Sequence, residues 1–157
     1  MQQNEYDVTV INVVDGDTVD VDIDLGFGVT LKDERVRIMG IDTPESRTSD
    51  KVEKVFGTAA KDRLYELMKD GAKLITTENK HGEDMKGKFG RILGDFRAPD
   101  GKLVTDIMIA EGHCVAYFGG SKEEIQTKHM ANRMKLLREG VVSQEDYDAA
   151  VKLMEDK

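Results

Sequence analysis

Residues 18–25 read TVDVDIDL, an alternation of apolar and acidic side chains that no helix can use. Successive side chains of an extended chain point to opposite faces, so Val19, Val21, Ile23 and Leu25 share one side and Asp20, Asp22 and Asp24 the other. This is the pattern of a half-buried antiparallel strand, whose apolar face must be completed by neighbours. Residues 6–14 (YDVTVINVV) and 29–39 (VTLKDERVRIM) supply them. Asp15-Gly16-Asp17 is a turn whose glycine admits positive φ, and LGFG makes the second bend. In the third strand Val36, Ile38 and Gly40 oppose Arg35, Arg37 and Met39. A three-stranded meander therefore opens the fold.

Next comes the polar loop IDTPESRTSDK, in which Pro44 restricts Thr43 to extended geometry. A helix is predicted from near Thr58 to Lys69, buried through Leu64, Leu67 and Met68 and capped by Gly71. Residues 72–78 and 91–98 read as short strands flanking the glycine-bearing loop HGEDMKGKFG. A short helix over 103–111 ends at Gly112, and a longer one over 122–139 turns Ile125, Met130, Met134 and Leu137 inward. Ser143-x-x-Asp146 then starts a last helix. The expected class is α+β, mainly β: a closed five-stranded barrel with three packed helices and an extra C-terminal helix. One domain is expected over residues 1–142, with a helical extension over 143–157.

Charge narrows the possible partners. A formal net charge of −8 opposes tight nonspecific binding of a polyanion, because phosphate affinity comes from neutralisation by Lys and Arg. A positive field would have to be local, from particular basic residues or a bound divalent cation. Cys114 is the only cysteine, which rules out an intrachain disulfide and suggests a small buried hydrophobe. The N-terminal MQQNEYDVTV lacks a leader pattern and no window is apolar enough to span a bilayer, so a cytoplasmic location is expected. His81, His113 and His129 have no partner at metal-ligand spacing, so neither a zinc site nor a histidine base is expected. Asp20, Asp22 and Asp24 imitate a calcium loop of the EF-hand type, but Leu25 and Leu31 occupy the places that need glycine and glutamate.

The residues with chemical promise are Asp15 and Asp17 in the first turn, and Asp42 and Glu45 in the loop after the third strand. Carboxylates from separate segments suit a hard divalent cation, and one more nearby can orient or deprotonate water. Whether the two loops share one end of the barrel is open at this stage. Arg37 and Arg91 offer planar forks that match phosphate oxygens. Each residue also has a plain alternative. Asp-Gly builds turns, Arg37 could pair with Asp20 or Asp22 on the surface, and Arg91 could guard a sheet edge.

DGDT at 15–18, Arg37 with IDTPE at 41–45, KFGR at 88–91 and GHCVAY at 112–117 resemble, in order and spacing, the signature of the staphylococcal nuclease (thermonuclease) family. The resemblance covers roughly residues 6–140. It implies an OB-fold barrel and Ca²⁺-dependent hydrolysis of DNA and/or RNA that leaves 3′-phosphates. By that resemblance Asp17, Asp42 and the Thr43 carbonyl would hold Ca²⁺, Glu45 would activate water, and Arg37 and Arg91 would grip the phosphate. Asp15 would support the ligands from behind, Lys88 would touch phosphate, and Tyr117 would contact a nucleotide. Phe89 and Gly119 stand where family tyrosines are common, so substrate affinity or base preference is expected to differ. The rival expectation is a nuclease-like barrel that has lost catalysis and only binds nucleic acid or a protein. A monomer is favoured over an oligomer.

Overall fold

The computed structural model describes residues 3–77, 91–117 and 121–155. The loop expected at 81–90, with Lys88 and Phe89, lies outside the described residues, as does Gly119. Five strands close a barrel: β1 (Gln3–Asp15), β2 (Thr18–Gly26), β3 (Val29–Ile38), β5 (Ala72–Thr77) and β6 (Ile92–Arg97). Two residues each form β4 (Ile41–Asp42) and β7 (Val115–Ala116), which pair antiparallel beside it. Among the described residues four helices accompany the strands: α1 (Lys51–Met68), α2 (Val104–Glu111), α3 (Lys122–Arg138) and α4 (Gln144–Glu155). The α+β barrel class expected from the sequence is what the chain adopts.

The barrel order is β1-β2-β3-β6-β5. The meander therefore stops after β3: β6 joins β3 in parallel, with Val36 opposite Ile92, and β5 returns to pair with β1. A barrel of so few strands has no edge left over, which meets the hydrogen-bonding demand of every strand within the described segments. Val19, Val21 and Val36 are fully buried, with Ile23, Ile38, Leu74 and Phe96 around them. Along β2 the acidic face is less uniform than expected, because Asp20 is buried and accepts two bonds from Arg35, at 2.9 and 3.2 Å.

Glycine at the first turn serves a different purpose from the one expected. Gly16 does not have positive φ; a Cβ there would lie 2.8 Å from the Ala60 Cβ and 3.3 Å from the Thr43 Cγ2. Clearance beneath α1, not backbone handedness, requires the glycine.

The first helix starts earlier than predicted, at Lys51 and not near Thr58. Asp50 is its cap, accepting from the backbone N–H groups of Val52 and Glu53 at 3.0 and 3.1 Å. The early turns carry Val52, Val55 and Phe56, which pack with Leu136, Val142 and Tyr147 in a second small core. Phe56 meets Tyr147 edge-on at 6.0 Å, and the Arg133 guanidinium lies 5.2 Å above the Phe56 ring. Asp50→Ala should lower unfolding free energy by about 1 kcal/mol, the usual cost of an N-cap, as a shift of the urea midpoint at unchanged slope.

The third helix packs by a face that only partly matches the predicted one, with Leu137 against the second core as expected. Met130 and Met134 are exposed, whereas His129 and Leu136 are buried. Leu136 and Leu137 join the second core, and hydrogen bonds complete the docking: Asn132 Nδ2 donates to the Cys114 carbonyl at 3.3 Å and Lys135 Nζ to the Ala110 carbonyl at 2.6 Å. Apolar periodicity does not register bonds of this kind. Ser143 caps α4 as expected, accepting from the Asp146 N–H at 3.1 Å, and Ala150 is buried.

Candidate active site

Strand polarity brings the two acidic loops together. β2 begins where β3 ends, with Thr18 opposite Arg37, and the Ile38 N–H donates to the Asp17 carbonyl at 2.8 Å. The β1–β2 turn and the chain leaving β3 therefore share one end of the barrel. The staggered register of β6 on β3, whose last residues pair with the first of β6, delivers Arg91, the residue before β6, to the same end. The result is a cleft of about 480 Å³ lined by Asp15, Asp17, Arg37, Asp42, Thr43 and Glu45, with Arg91, Thr18, Pro44 and Arg47.

Each side chain has an identifiable anchor. Asp17 accepts from its neighbour Thr18 Oγ1 at 3.0 Å and forms an ion pair with Arg37 Nη2 at 3.3 Å. Arg37 also donates to the carbonyls of Ile38 and Ile41, the latter at 3.4 Å, so its guanidinium ties the end of β3 to the start of β4. Asp42 is held by the β4–β7 pairing, opposite Val115, and the His129 Nε2 lies 2.7 Å from its Oδ2. Asp15 accepts from both the backbone N–H and the hydroxyl of Ser46, fastening the residue directly after Glu45. Arg47 reaches Asp15 more loosely at 3.8 Å.

Glu45 itself is exposed at the rim. Behind it, α1 approaches so closely that a Cβ on Gly57 would fall 2.3 Å from the Glu45 carbonyl oxygen. Burial first, and then the Glu45 and Asp50 charges, raise the Glu53 carboxyl above the ordinary carboxylate range. The cleft thus interleaves carboxylates with guanidinium groups, Arg37 beside Asp17 and Arg47 beside Asp15.

Comparison with known proteins gives the family. A model of the family described as staphylococcal nuclease homologue matches residues 35–143, more than half of the chain. The chain belongs to the staphylococcal nuclease homologue family. Among curated relatives of this nuclease homologue, the endonuclease YhcR of Bacillus subtilis is 29% identical over 121 residues, 74% of this chain but 9% of that protein. An uncharacterized endonuclease of Escherichia coli is 30% identical over 108 residues, 69% of this chain and 59% of its own length. The endonuclease YncB of Bacillus subtilis is 32% identical over 111 residues, 71% of this chain and 48% of its own. The chain spans less than two thirds of each of these relatives.

Seven of the nine residues singled out in the sequence meet in the nuclease homologue's cleft: Asp15, Asp17, Arg37, Asp42, Thr43, Glu45 and Arg91. Asp15 and Asp17 precede the matched family segment, so the barrel places them there independently of it. Lys88 lies outside the described residues. Tyr117 is exposed and does not line the cleft; its backbone N–H donates to the Gly40 carbonyl at 2.9 Å. Arg37 pairs with Asp17, while Arg35 takes Asp20 and Lys32 takes Asp22.

Sequence inspection passed over Ser46, Gly57 and His129. Gly57 gave no usable signal, because the predicted helix began only near Thr58 and left the glycine in the preceding loop. His129 gave none, standing 87 residues from Asp42. Cys114 is the small buried hydrophobe expected, its thiol pushed up to about 12 by burial, which leaves it inert as a nucleophile. Among the described residues no helix is long and apolar enough to cross a membrane.

Proposed function

We propose that this chain is a Ca²⁺-dependent nuclease that hydrolyses phosphodiester bonds of DNA and/or RNA and leaves 3′-phosphate ends. The observation that carries this reading is the convergence of Asp17, Asp42, Thr43, Glu45, Arg37 and Arg91 on one cleft. Relatives bearing endonuclease names support the same class.

The donor set fits a hard cation. Asp17, Asp42 and the Thr43 carbonyl are all oxygen donors from two separate segments, the chemistry Ca²⁺ selects. Among the described residues no three His, Cys, Asp or Glu side chains gather into a closed metal cluster, so water and substrate oxygens would complete the sphere. When bound, the cation supplies positive charge to the scissile phosphate and its departing oxygen.

The protein's own groups do the rest. Glu45, exposed at the rim on a loop fastened by Asp15 and Ser46, accepts a proton from the attacking water. Arg37 and Arg91 hold the phosphate and stabilise the charge that develops on it. Arg37 is already fixed by Asp17 and two carbonyls, so little reorganisation is needed when phosphate arrives. Local positive charge of this kind answers the difficulty set by a net charge of −8.

The test is cleavage of single-stranded DNA, duplex DNA and RNA by the purified chain, with Ca²⁺ and with a chelator, followed by analysis of the new ends. Cleavage that the chelator stops, yielding ends that a polymerase extends only after phosphatase treatment, is the expected result. No cleavage of any substrate by a protein with native circular dichroism would overturn the reading in favour of a binding module.

A further inference from the structure

We infer that His129 is a positioning residue for Asp42, holding that carboxylate in the orientation a cation requires; this rests on the assignment of Asp42 as a cation ligand. The two residues come from distant parts of the chain, one on β4 and one on α3, and meet at 2.7 Å. An ionised carboxylate only accepts, so Nε2 carries the proton and donates to Oδ2. The bond engages one carboxylate oxygen and leaves the other available to a cation.

Asp42 needs such help more than Asp17 does. Asp17 has Thr18 and Arg37 on its two oxygens, whereas Asp42 sits on a strand of two residues with its side chain 44% exposed. An exposed aspartate with no anchor samples several rotamers, and a ligand must give that freedom up when it binds. His129 removes the freedom in advance. Its own side chain is only 11% exposed, so the imidazole is itself held by the packing around it. Metal-binding carboxylates are generally hydrogen-bonded from behind in this way, and loss of such a partner costs about tenfold to a hundredfold in affinity.

The experiment measures Ca²⁺ affinity by titration calorimetry on the whole chain, for wild type and for His129→Leu, His129→Gln, Asn132→Ala and Asp42→Ala. His129→Leu keeps the volume and removes the donor; His129→Gln keeps a donor; Asn132→Ala loosens the same helix without touching Asp42. The expected result is a tenfold to hundredfold weaker Kd for His129→Leu, substantial recovery in His129→Gln, and a wild-type Kd for Asn132→Ala. At saturating Ca²⁺, kcat of His129→Leu should return close to wild type, since only cation occupancy is impaired.

Wild-type Ca²⁺ affinity in His129→Leu, or an equal loss in Asn132→Ala, would overturn the inference, the second outcome because docking of the helix alone would then explain it. If His129→Leu does not fold, His129→Gln decides, together with the wild-type imidazole ¹⁵N resonances of His129, which must shift on Ca²⁺ addition. Ca²⁺ affinity that survives Asp42→Ala would instead overturn the cation assignment itself.

Discussion

Replacing Glu45 by glutamine is expected to lower kcat about a thousandfold while leaving the melting temperature and Ca²⁺ affinity nearly unchanged. Glutamine matches glutamate in shape and keeps a hydrogen-bond acceptor, but it cannot take a proton from water at neutral pH. The side chain is exposed at the rim of the cleft, so little packing is at stake. Asp17, Asp42 and Thr43 come from other positions in the cleft and are untouched. General-base catalysis by a positioned carboxylate contributes about a hundredfold to ten-thousandfold, which sets the size of the loss. Single-turnover cleavage at saturating Ca²⁺ measures it, with calorimetry and thermal melting alongside. A kcat within about threefold of wild type would remove Glu45 from the base role and leave water activation to another group.

The parts of this protein that could be read from its sequence are those governed by local periodicity. β2 writes most of its burial directly, Val19, Val21 and Ile23 inward with Asp22 and Asp24 outward, whereas Leu25 is exposed and Asp20 is buried against Arg35. Ser143 announces α4 because the cap is a local hydrogen bond. Parallel pairing of β6 with β3 was not legible, because no neighbour in sequence reports on it. The start of α1 was hidden for a different reason. Asp50 follows a run of Ser and Thr, and Gly57 interrupts the pattern, so the apolar side formed by Val52, Val55 and Phe56 looked like part of a loop.

Most of the candidate site was legible as a set of residue types, but not as a place. The sequence left open whether the first turn and the end of the third strand share one end of the barrel; the polarity of the observed meander brings Asp17 and Asp42 together there. What polarity could not supply was the backing of the site. Ser46 on Asp15, His129 on Asp42 and Gly57 under Glu45 all join segments distant in sequence. The groups that would carry the chemistry follow motifs, whereas those that fix their orientation follow tertiary packing.

Gly57→Ala tests that division most directly. A Cβ at this position would stand 2.3 Å from the Glu45 carbonyl oxygen, 2.4 Å from its carbon and 2.6 Å from the Ser46 nitrogen. All three are backbone atoms, so no change of rotamer relieves the overlap. Either the Glu45 loop or α1 must retreat by about 1 Å to restore ordinary contact. Stability should respond weakly, because strain of about 1–3 kcal/mol is partly offset by about 1 kcal/mol of helix propensity gained over glycine. Catalysis should respond strongly: a displacement of about 1 Å at a reacting group costs on the order of a hundredfold. We therefore expect kcat to fall about a hundredfold with Ca²⁺ affinity retained, while Thr58→Ala, on the exposed neighbouring position, changes neither. Adding Glu45→Gln to Gly57→Ala should then cost much less than Glu45→Gln costs alone, since a carboxylate already out of place has little left to lose. Full additivity of the two losses would mean that Gly57 acts on the fold and not through Glu45.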